Sequence, residues 1–291
     1  MSKVWLVTGS ARGLGREIVE AALRAGERVL ATARDPRQLD DLLKQYGEQV
    51  RAVALDVTDP VAARNAVQAA VDAFGRLDVV VNNAGFGHLS PFEQTTEEDF
   101  RAQIDTNFYG VVNVTRAALP VLRKQRAGHV IQISSVGGRV GIAGLSAYQA
   151  AKWAVGGFTE VISQELAPFG VHVTALEPGG MKTDWGTEAS GALPELLPDY
   201  VPSVGAIVDM LSHHIGNETS DPAKVAQVVL KLAYHDSLPA HLLLGSDALH
   251  YAGEGDKARA ASAEAWRTIS TATDFSAPTP LPAFPAASAK A

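Results

Sequence analysis

Short apolar runs recur along the chain, and each is followed by a turn residue and then by a segment with helical periodicity. Because almost every position in these runs is apolar, both faces of the corresponding strands should be buried, as in a parallel sheet covered by helices. The alternation predicts an α/β protein with a doubly wound, seven-stranded parallel sheet and helices on both faces. The seven runs are Val4–Val7, Val29–Ala33, Val50–Leu55, Val79–Val81, Val130–Ile133, Val171–Leu176 and His241–Leu244.

Capping residues predict where two of the helices begin. Thr96 precedes three acidic residues and predicts a helix that runs towards Leu119, where Pro120 should interrupt it. Asp221 at the N-cap position predicts the start of a second helix, over Ala223–Tyr234. Both helices fit between consecutive predicted strands.

Composition excludes several classes of protein and of site. Lys and Arg number 25 against 32 Asp and Glu, a formal net charge of −7, so a nucleic-acid partner is not expected. Without cysteine there is no disulfide framework and no thiolate metal site, and the neighbouring His213 and His214 cannot share a helix face, so no metal is predicted. No stretch resembles a signal peptide or a membrane span. We therefore expect a cytoplasmic protein without a membrane partner.

A glycine-rich turn follows the first strand and opens a helix. Glycines at such a turn allow a sharp exit from the strand, close approach of a pyrophosphate and close packing of helix on strand. The free N–H groups at the helix start would hold phosphates. The turn therefore predicts a dinucleotide site in a Rossmann fold, with cofactor-binding residues Gly9, Arg12, Gly13, Leu14 and Gly15.

The end of the second strand bears on the choice of cofactor. An acid there would bind the ribose hydroxyl of NAD, whereas an arginine would bind the 2′-phosphate of NADP. Arg34 lies 19 residues after Gly15, and with Arg12 it could converge on that phosphate. This favours NADP over NAD. The alternative is that Arg34 is a solvated charge and that Asp35 binds the ribose.

A Tyr–Lys pair follows the fifth strand. Tyr148 and Lys152 are four residues apart and would lie on one face of a helix. An ammonium beside a phenol favours the phenolate, so we expect Lys152 to lower the pKa of Tyr148 and to make it a proton donor and acceptor near neutral pH. The pair could also occur by chance in an amphipathic helix.

Taken together, the motifs resemble those of the short-chain dehydrogenase/reductase family, in its common single-domain branch. The resemblance covers about residues 3–250. The motifs are Thr8-Gly9-x-x-x-Gly13-x-Gly15, Asp56, Asn82-Asn83-Ala84-Gly85, Asn107, Ser135, Tyr148-x-x-x-Lys152, and Pro178-Gly179 with Thr183.

This resemblance implies catalytic roles for four residues. Tyr148 would be the general acid in carbonyl reduction and the base in alcohol oxidation, and Ser135 would hydrogen-bond the substrate oxygen. Lys152 would hold the nicotinamide ribose, and Asn107 would position a water that links Lys152 to solvent. Ser135 is preferred to Ser134 because it precedes Tyr148 by 13 residues, as in the family.

The resemblance also assigns further cofactor contacts. Asp56 would bind the adenine amino group and Thr183 the nicotinamide carboxamide, although Asp56 could instead cap its own turn. Asn82 should tie neighbouring strands together. The remaining implied cofactor residues are Asn83, Gly85, Pro178 and Gly179, with Tyr148 and Lys152.

The predicted domain organisation follows from these motifs. Residues 1–269 should form one NAD(P)-binding catalytic domain, in which 183–220 is a substrate-binding insertion or lid, and 270–291 should be a disordered tail rich in Pro and Ala. The insertion offers few fixed charges, so we expect a medium-sized apolar ketone, aldehyde or secondary alcohol as the small-molecule substrate.

Members of the family commonly form dimers or tetramers, so the resemblance implies a homo-oligomer. The alternatives are an NAD-preferring alcohol dehydrogenase of the same family and a non-catalytic NADP-binding sensor or scaffold.

Overall fold

The computed structural model describes residues 2–191, 193–276 and 280–285. Its centre is one parallel sheet with the strand order β3-β2-β1-β4-β5-β6-β7, which confirms the predicted doubly wound Rossmann fold. The strands are β1 Val4–Val7, β2 Arg28–Ala33, β3 Val50–Ala54, β4 Val79–Asn82, β5 Gly128–Ile133, β6 Val171–Pro178 and β7 His241–Leu244.

Eleven α-helices occur in the described residues and connect or follow the strands. They are α1 Gly13–Arg24, α2 Asp40–Tyr46, α3 Pro60–Phe74, α4 Glu97–Ile104, α5 Gly110–Gln125, α6 Ser146–Leu166, α7 Trp185–Gly191, α8 Ala206–His214, α9 Pro222–Leu232, α10 Ser246–Ala265 and α11 Arg267–Thr271.

Two apolar clusters bury the two faces of the sheet. On one face, Ile18 of α1 and Val229 of α9 pack against strand residues such as Val7. On the other face, Val67 of α3 and Leu122 of α5 pack with further strand residues and with α6. The near-continuous apolar runs are explained by this double burial. The strand order reverses beside β1, so a crevice opens at the carboxyl ends of β1 and β4, where ligands of such folds bind.

The prediction that Pro120 ends a helix is wrong. Helix α5 continues through Pro120 to Gln125, and both Pro120 and Arg116, the residue whose carbonyl loses its N–H partner, are exposed. The helical run is instead interrupted earlier, where Asp105–Tyr109 forms a π-helical turn between α4 and α5. Such turns often occur at functional sites.

The segment predicted to be a lid begins and ends at adjacent points. Met181 pairs with Ser220 in an isolated parallel bridge, Lys182 donates its N–H to the Ser220 carbonyl (3.1 Å), and Ser220 donates to the Gly180 carbonyl (2.9 Å). Between these points lie α7, α8 and two short helical turns, Pro198–Tyr200 and Val201–Gly205. Its function as a lid stays a prediction.

The C-terminal part is helical up to Thr271. Residues 277–279 and 286–291 of the predicted tail lie outside the described residues. Among the helices that the structure describes, none combines the length and the apolar character needed to cross a membrane.

Candidate active site

The glycine-rich turn connects β1 to α1 and packs tightly against the residues after β4. Gly9 has a φ of +66°, a conformation that favours glycine, and a Cβ atom there would lie 2.9 Å from the Ala84 Cα. A Cβ atom at Gly15 would collide with the Gly9 carbonyl oxygen. Asn83 holds the turn by donating from Nδ2 to the carbonyls of Thr8 (2.9 Å) and Gly9 (3.1 Å). Any side chain at Gly9 or Gly15 would therefore distort the turn.

The start of α1 suits a phosphate group. Arg12 occupies the N-cap position with extended backbone and gives the helix no side-chain cap, and the first turn contains no acidic residue. The first N–H groups of a helix need acceptors, and an anion satisfies them well. These features and the space left by the glycines fit the pyrophosphate of a dinucleotide cofactor.

The two arginines predicted to converge on a 2′-phosphate have different surroundings. Arg34 is exposed at the end of β2. Arg12 forms an ion pair with Glu188 of α7, with one guanidinium nitrogen 2.7 Å from the carboxylate. Asp35 accepts a hydrogen bond from the Arg37 N–H (3.1 Å) and pairs with the Arg37 guanidinium, which holds the pKa of its carboxyl below the usual value. The alternative in which Asp35 binds a ribose would require this pair to break.

The predicted cofactor residue Asp56 and the predicted strand-tying residue Asn82 both have hydrogen-bond partners within the protein. Asp56 accepts hydrogen bonds from both the N–H (2.9 Å) and the hydroxyl (2.8 Å) of Thr58, as in the turn-capping alternative. Asn82 donates to Thr115 (2.9 Å) and to Gln132 (2.7 Å), so it ties β4 to α5 and β5 as expected.

Ser135, Tyr148 and Lys152 lie together beyond the carboxyl end of β5. Ser135 caps a short helical turn, and its Oγ accepts a hydrogen bond from the Gly137 N–H (3.0 Å), which leaves its hydroxyl proton free to donate elsewhere. Lys152 is 4% exposed, lies with Nζ 5.5 Å from the centre of the Tyr148 ring, and donates to the Ile133 carbonyl (2.7 Å). The neighbouring Ser134 points away and donates to the Lys152 carbonyl (3.3 Å).

Burial dominates the protonation of this group. Desolvation raises the pKa of Tyr148 to about 12, and the contact with Ser135 acts in the opposite direction. Desolvation lowers the pKa of Lys152 to about 8. The net pKa of Tyr148 is therefore raised, and not lowered as expected, because desolvation by burial is the largest effect. At neutral pH Tyr148 is a neutral phenol with a proton to donate.

Asn107 lies in the π-helical turn and is fully buried. Its Nδ2 donates to the carbonyls of Phe86 (2.7 Å) and Gln103 (2.8 Å), and its Oδ1 accepts from the Phe86 N–H (3.2 Å). Gly85 lies between the two predicted catalytic side chains, because a Cβ atom there would be 2.5 Å from Asn107 Oδ1 and 3.6 Å from Lys152 Nζ. The structure thus brings Asn107 close to Lys152, and the Asn107 side chain is hydrogen-bonded to the loop after β4.

The loop after β6 reaches the same crevice. The Thr183 methyl group would lie 3.8 Å from a Cβ atom at Gly13, so Thr183 adjoins the glycine-rich turn. Trp185, at the start of α7, places its ring 5.1 Å from that of Tyr148. Pro178 ends β6, and Gly179 donates its N–H to the Leu244 carbonyl (3.0 Å).

Two residues that contact the predicted site, Asp247 and Glu188, were not predicted from the sequence. Asp247 accepts a hydrogen bond from the Gly180 N–H (2.7 Å) and so anchors the loop after β6. Its position just after β7 is the sequence signal that could have found it, since ligand-side loops follow strand ends. Glu188 pairs with Arg12 across 176 residues of sequence, and no local signal predicts such a pair.

His213 and His214 bond the carbonyls of Asp209 and Met210, one turn earlier in α8.

Comparisons with known proteins agree with this architecture. The family model described as short chain dehydrogenase matches residues 3–192. The oxidoreductase BOA17 of Botryotinia fuckeliana is 48% identical over 274 residues, which cover 94% of this chain and 100% of that protein.

Two solved structures are similar as well. A short-chain dehydrogenase from Streptomyces avermitilis superposes with a TM-score of 0.86 at 37% identity, covering 94% of this chain and 100% of its own. An alcohol dehydrogenase from the archaeon Thermococcus sibiricus, complexed with 5-hydroxy-NADP, has a TM-score of 0.68 at 26% identity and covers 84% of this chain and 97% of its own.

Proposed function

Since the chain belongs to the short-chain dehydrogenase family and is an oxidoreductase, we propose that it transfers a hydride between NADP(H) and a medium-sized apolar ketone, aldehyde or secondary alcohol. The observation that carries this proposal is the group formed by Ser135, Tyr148 and Lys152 beside the glycine-rich turn. The cytoplasmic location and the assembly into a dimer or tetramer belong to the same proposal, on the grounds of composition and family.

In the proposed reduction, the protein activates the substrate oxygen. The Ser135 hydroxyl, whose oxygen is fixed by the Gly137 N–H, donates a hydrogen bond to the carbonyl oxygen. Tyr148 transfers its phenolic proton to that oxygen as the C–O π bond opens, which leaves a phenolate and a neutral alcohol. A bound nicotinamide supplies the hydride to the carbonyl carbon. Alcohol oxidation runs through the same groups in reverse.

Lys152 has two proposed tasks. Its buried ammonium holds the ribose hydroxyls of the cofactor and stabilises the phenolate that Tyr148 forms. The phenolate then recovers a proton from solvent, for which we propose the region between Lys152 and Asn107 as the path.

The apolar character of the substrate is supported by the walls of the crevice. Trp185 packs against Tyr148, Phe86 lies in the loop after β4, and Met181 lies in the loop after β6. The Arg12 and Glu188 charges neutralise each other, so they offer little to an ionic substrate. An assay of NADPH oxidation against a diverse carbonyl panel, repeated with NADH, tests the proposal. Turnover of apolar ketones or aldehydes supports it, and turnover restricted to sugar phosphates would contradict it.

The preference for NADP gives a separate prediction. Arg34→Ala should weaken NADPH binding by about ten- to a hundredfold, because a charge-assisted hydrogen bond to the 2′-phosphate is lost, and it should barely change NADH binding. Fluorescence titration of both cofactors measures the two dissociation constants. Arg24→Ala, in the last turn of α1 and paired with Glu20, is the matched control and should affect both cofactors little. An equal loss for the two cofactors in Arg34→Ala would contradict the 2′-phosphate role of Arg34.

A further inference from the structure

A row of polar side chains follows one side of α4 and of the π-helical turn after it. Asp99, Gln103 and Asn107 are spaced four residues apart, so they lie near one another along the helix. Gln103 is 1% exposed and Asn107 is fully buried. Burying an amide is costly unless its donors and acceptors are bonded, so the partners of these side chains define what the row does.

The side chains of the row bond to one another and to the loop that follows β4. Gln103 accepts a hydrogen bond at Oε1 from the His88 N–H (3.1 Å) and donates from Nε2 to Asp99 Oδ2 (2.9 Å). The other Asp99 oxygen lies 2.6 Å from His88 Nδ1. Asn107 holds both backbone groups of Phe86. The row therefore holds the loop by hydrogen bonds at Phe86 and at His88, two residues apart.

The residue between these two anchors touches the proposed catalytic tyrosine. A Cβ atom at Gly87 would lie 2.9 Å from Tyr148 Cδ2 and 2.9 Å from Trp185 Cζ2, so the Gly87 backbone packs directly against both rings. A loop fixed on either side of Gly87 restricts how far the Tyr148 ring can rotate or shift.

We propose that Gln103 is a positioning residue for Tyr148. It joins the main chain of the loop to Asp99, and so it holds Gly87 against the phenol ring and keeps the Tyr148 hydroxyl aligned with the substrate oxygen. Misplacement of a reacting group by a fraction of an ångström to one ångström lowers turnover strongly without preventing binding. This inference rests on the proposed acid–base role of Tyr148.

The test exchanges the donor and acceptor of the Gln103–Asp99 bond. Gln103→Glu places two carboxylates side by side and should lower kcat by about tenfold, with the dissociation constant for NADPH changed by less than about twofold. The double variant Asp99→Asn with Gln103→Glu restores one donor and one acceptor and should recover kcat to within about threefold of the wild type. Both are assayed with the carbonyl compound of the panel that is turned over fastest.

Gln68 provides the matched control. It donates from Nε2 to Asp72 Oδ1 (2.7 Å) at the same four-residue spacing, on the exposed side of α3. Gln68→Glu creates the same like-charge pair there and should leave kcat unchanged. Thermal unfolding of each variant checks that the fold is retained. If Gln103→Glu does not fold, Gln103→Met is assayed in its place, because it leaves the His88 N–H unpaired without adding a charge.

The outcomes separate this inference from the proposed function. Wild-type kcat in a Gln103 variant, or an equal loss in Gln103→Glu and in the double variant, would overturn the positioning role. A loss of activity in Tyr148→Phe beside such a result would leave the proposed function standing. Retained activity in Tyr148→Phe would overturn the proposed function itself.

Discussion

Replacing Tyr148 with Phe is expected to lower kcat by about a thousandfold or more, because the proton that neutralises the developing alkoxide then has no donor. NADPH binding should change little, since Phe keeps the ring that packs against Trp185 and Gly87. Steady-state kinetics with the fastest carbonyl substrate measures the first effect, and fluorescence titration with NADPH measures the second.

Tyr251→Phe is the matched control for this variant. Tyr251 is an exposed residue of α10, remote in sequence from the motifs of the site, and the change removes the same single oxygen. It should have wild-type kinetics. Activity within about tenfold of the wild type in Tyr148→Phe would refute the acid–base assignment.

Lys152→Met should abolish turnover and at the same time raise the free energy of unfolding at pH 7. The folded state bears the cost of a buried ammonium, and the difference between the pKa of 10.5 and the lowered value of about 8 corresponds to about 3 kcal/mol at most. Loss of the bond from Nζ to the Ile133 carbonyl offsets part of this gain. Denaturant unfolding at a series of pH values measures the net effect.

The pH dependence of that gain has a definite sign. Below about pH 8, Lys152 is charged in the folded and the unfolded states, so the cost is present in full. Between about 8 and 10.5 the folded state is neutral while the unfolded state is charged, and the cost declines as pH rises. The stability difference between Lys152→Met and the wild type should therefore shrink across this window. Lys44→Met, at an exposed position of α2, should show no such trend, and a pH-independent difference for Lys152→Met would contradict the burial argument.

The sheet was predictable because its strands consist almost entirely of apolar residues, which indicates burial on both faces. Runs such as Val4–Val7 and Val79–Val81 are apolar at every position, and both lie fully inside the structure. The error at Pro120 arose because the local sequence does not contain the information that decides the outcome. A proline leaves the carbonyl four residues before it without an N–H partner, and a helix tolerates this more easily where water can reach that carbonyl. Which side of α5 is exposed depends on packing between distant segments, so the residues around Pro120 alone could not predict the outcome.

The site was predictable where its members are close in sequence. Ser135 and Tyr148 are 13 residues apart, and the Tyr–Lys pair occupies one helix turn. The pKa values of Tyr148 and Lys152 could not be predicted, because the burial of Lys152 depends on β5, α6 and the loop after β4 together. The partners of Arg12 and of Gln103 depend in the same way on segments that meet only in the folded chain.

The bridge between Met181 and Ser220 bears on how such an enzyme diverges. Because the segment between them leaves and re-enters the domain at adjacent points, its ends are already closed, and doubling the length of a loop costs only about 0.6 kcal/mol in closure entropy. We expect insertions and deletions beyond Trp185 to leave the register of β6 and β7 intact, whereas Trp185 itself must stay in place because it packs against Tyr148. Under the proposed function, substrate preference is therefore expected to diverge through replacement of the part of this segment that follows Trp185, while Ser135, Tyr148 and Lys152 are kept.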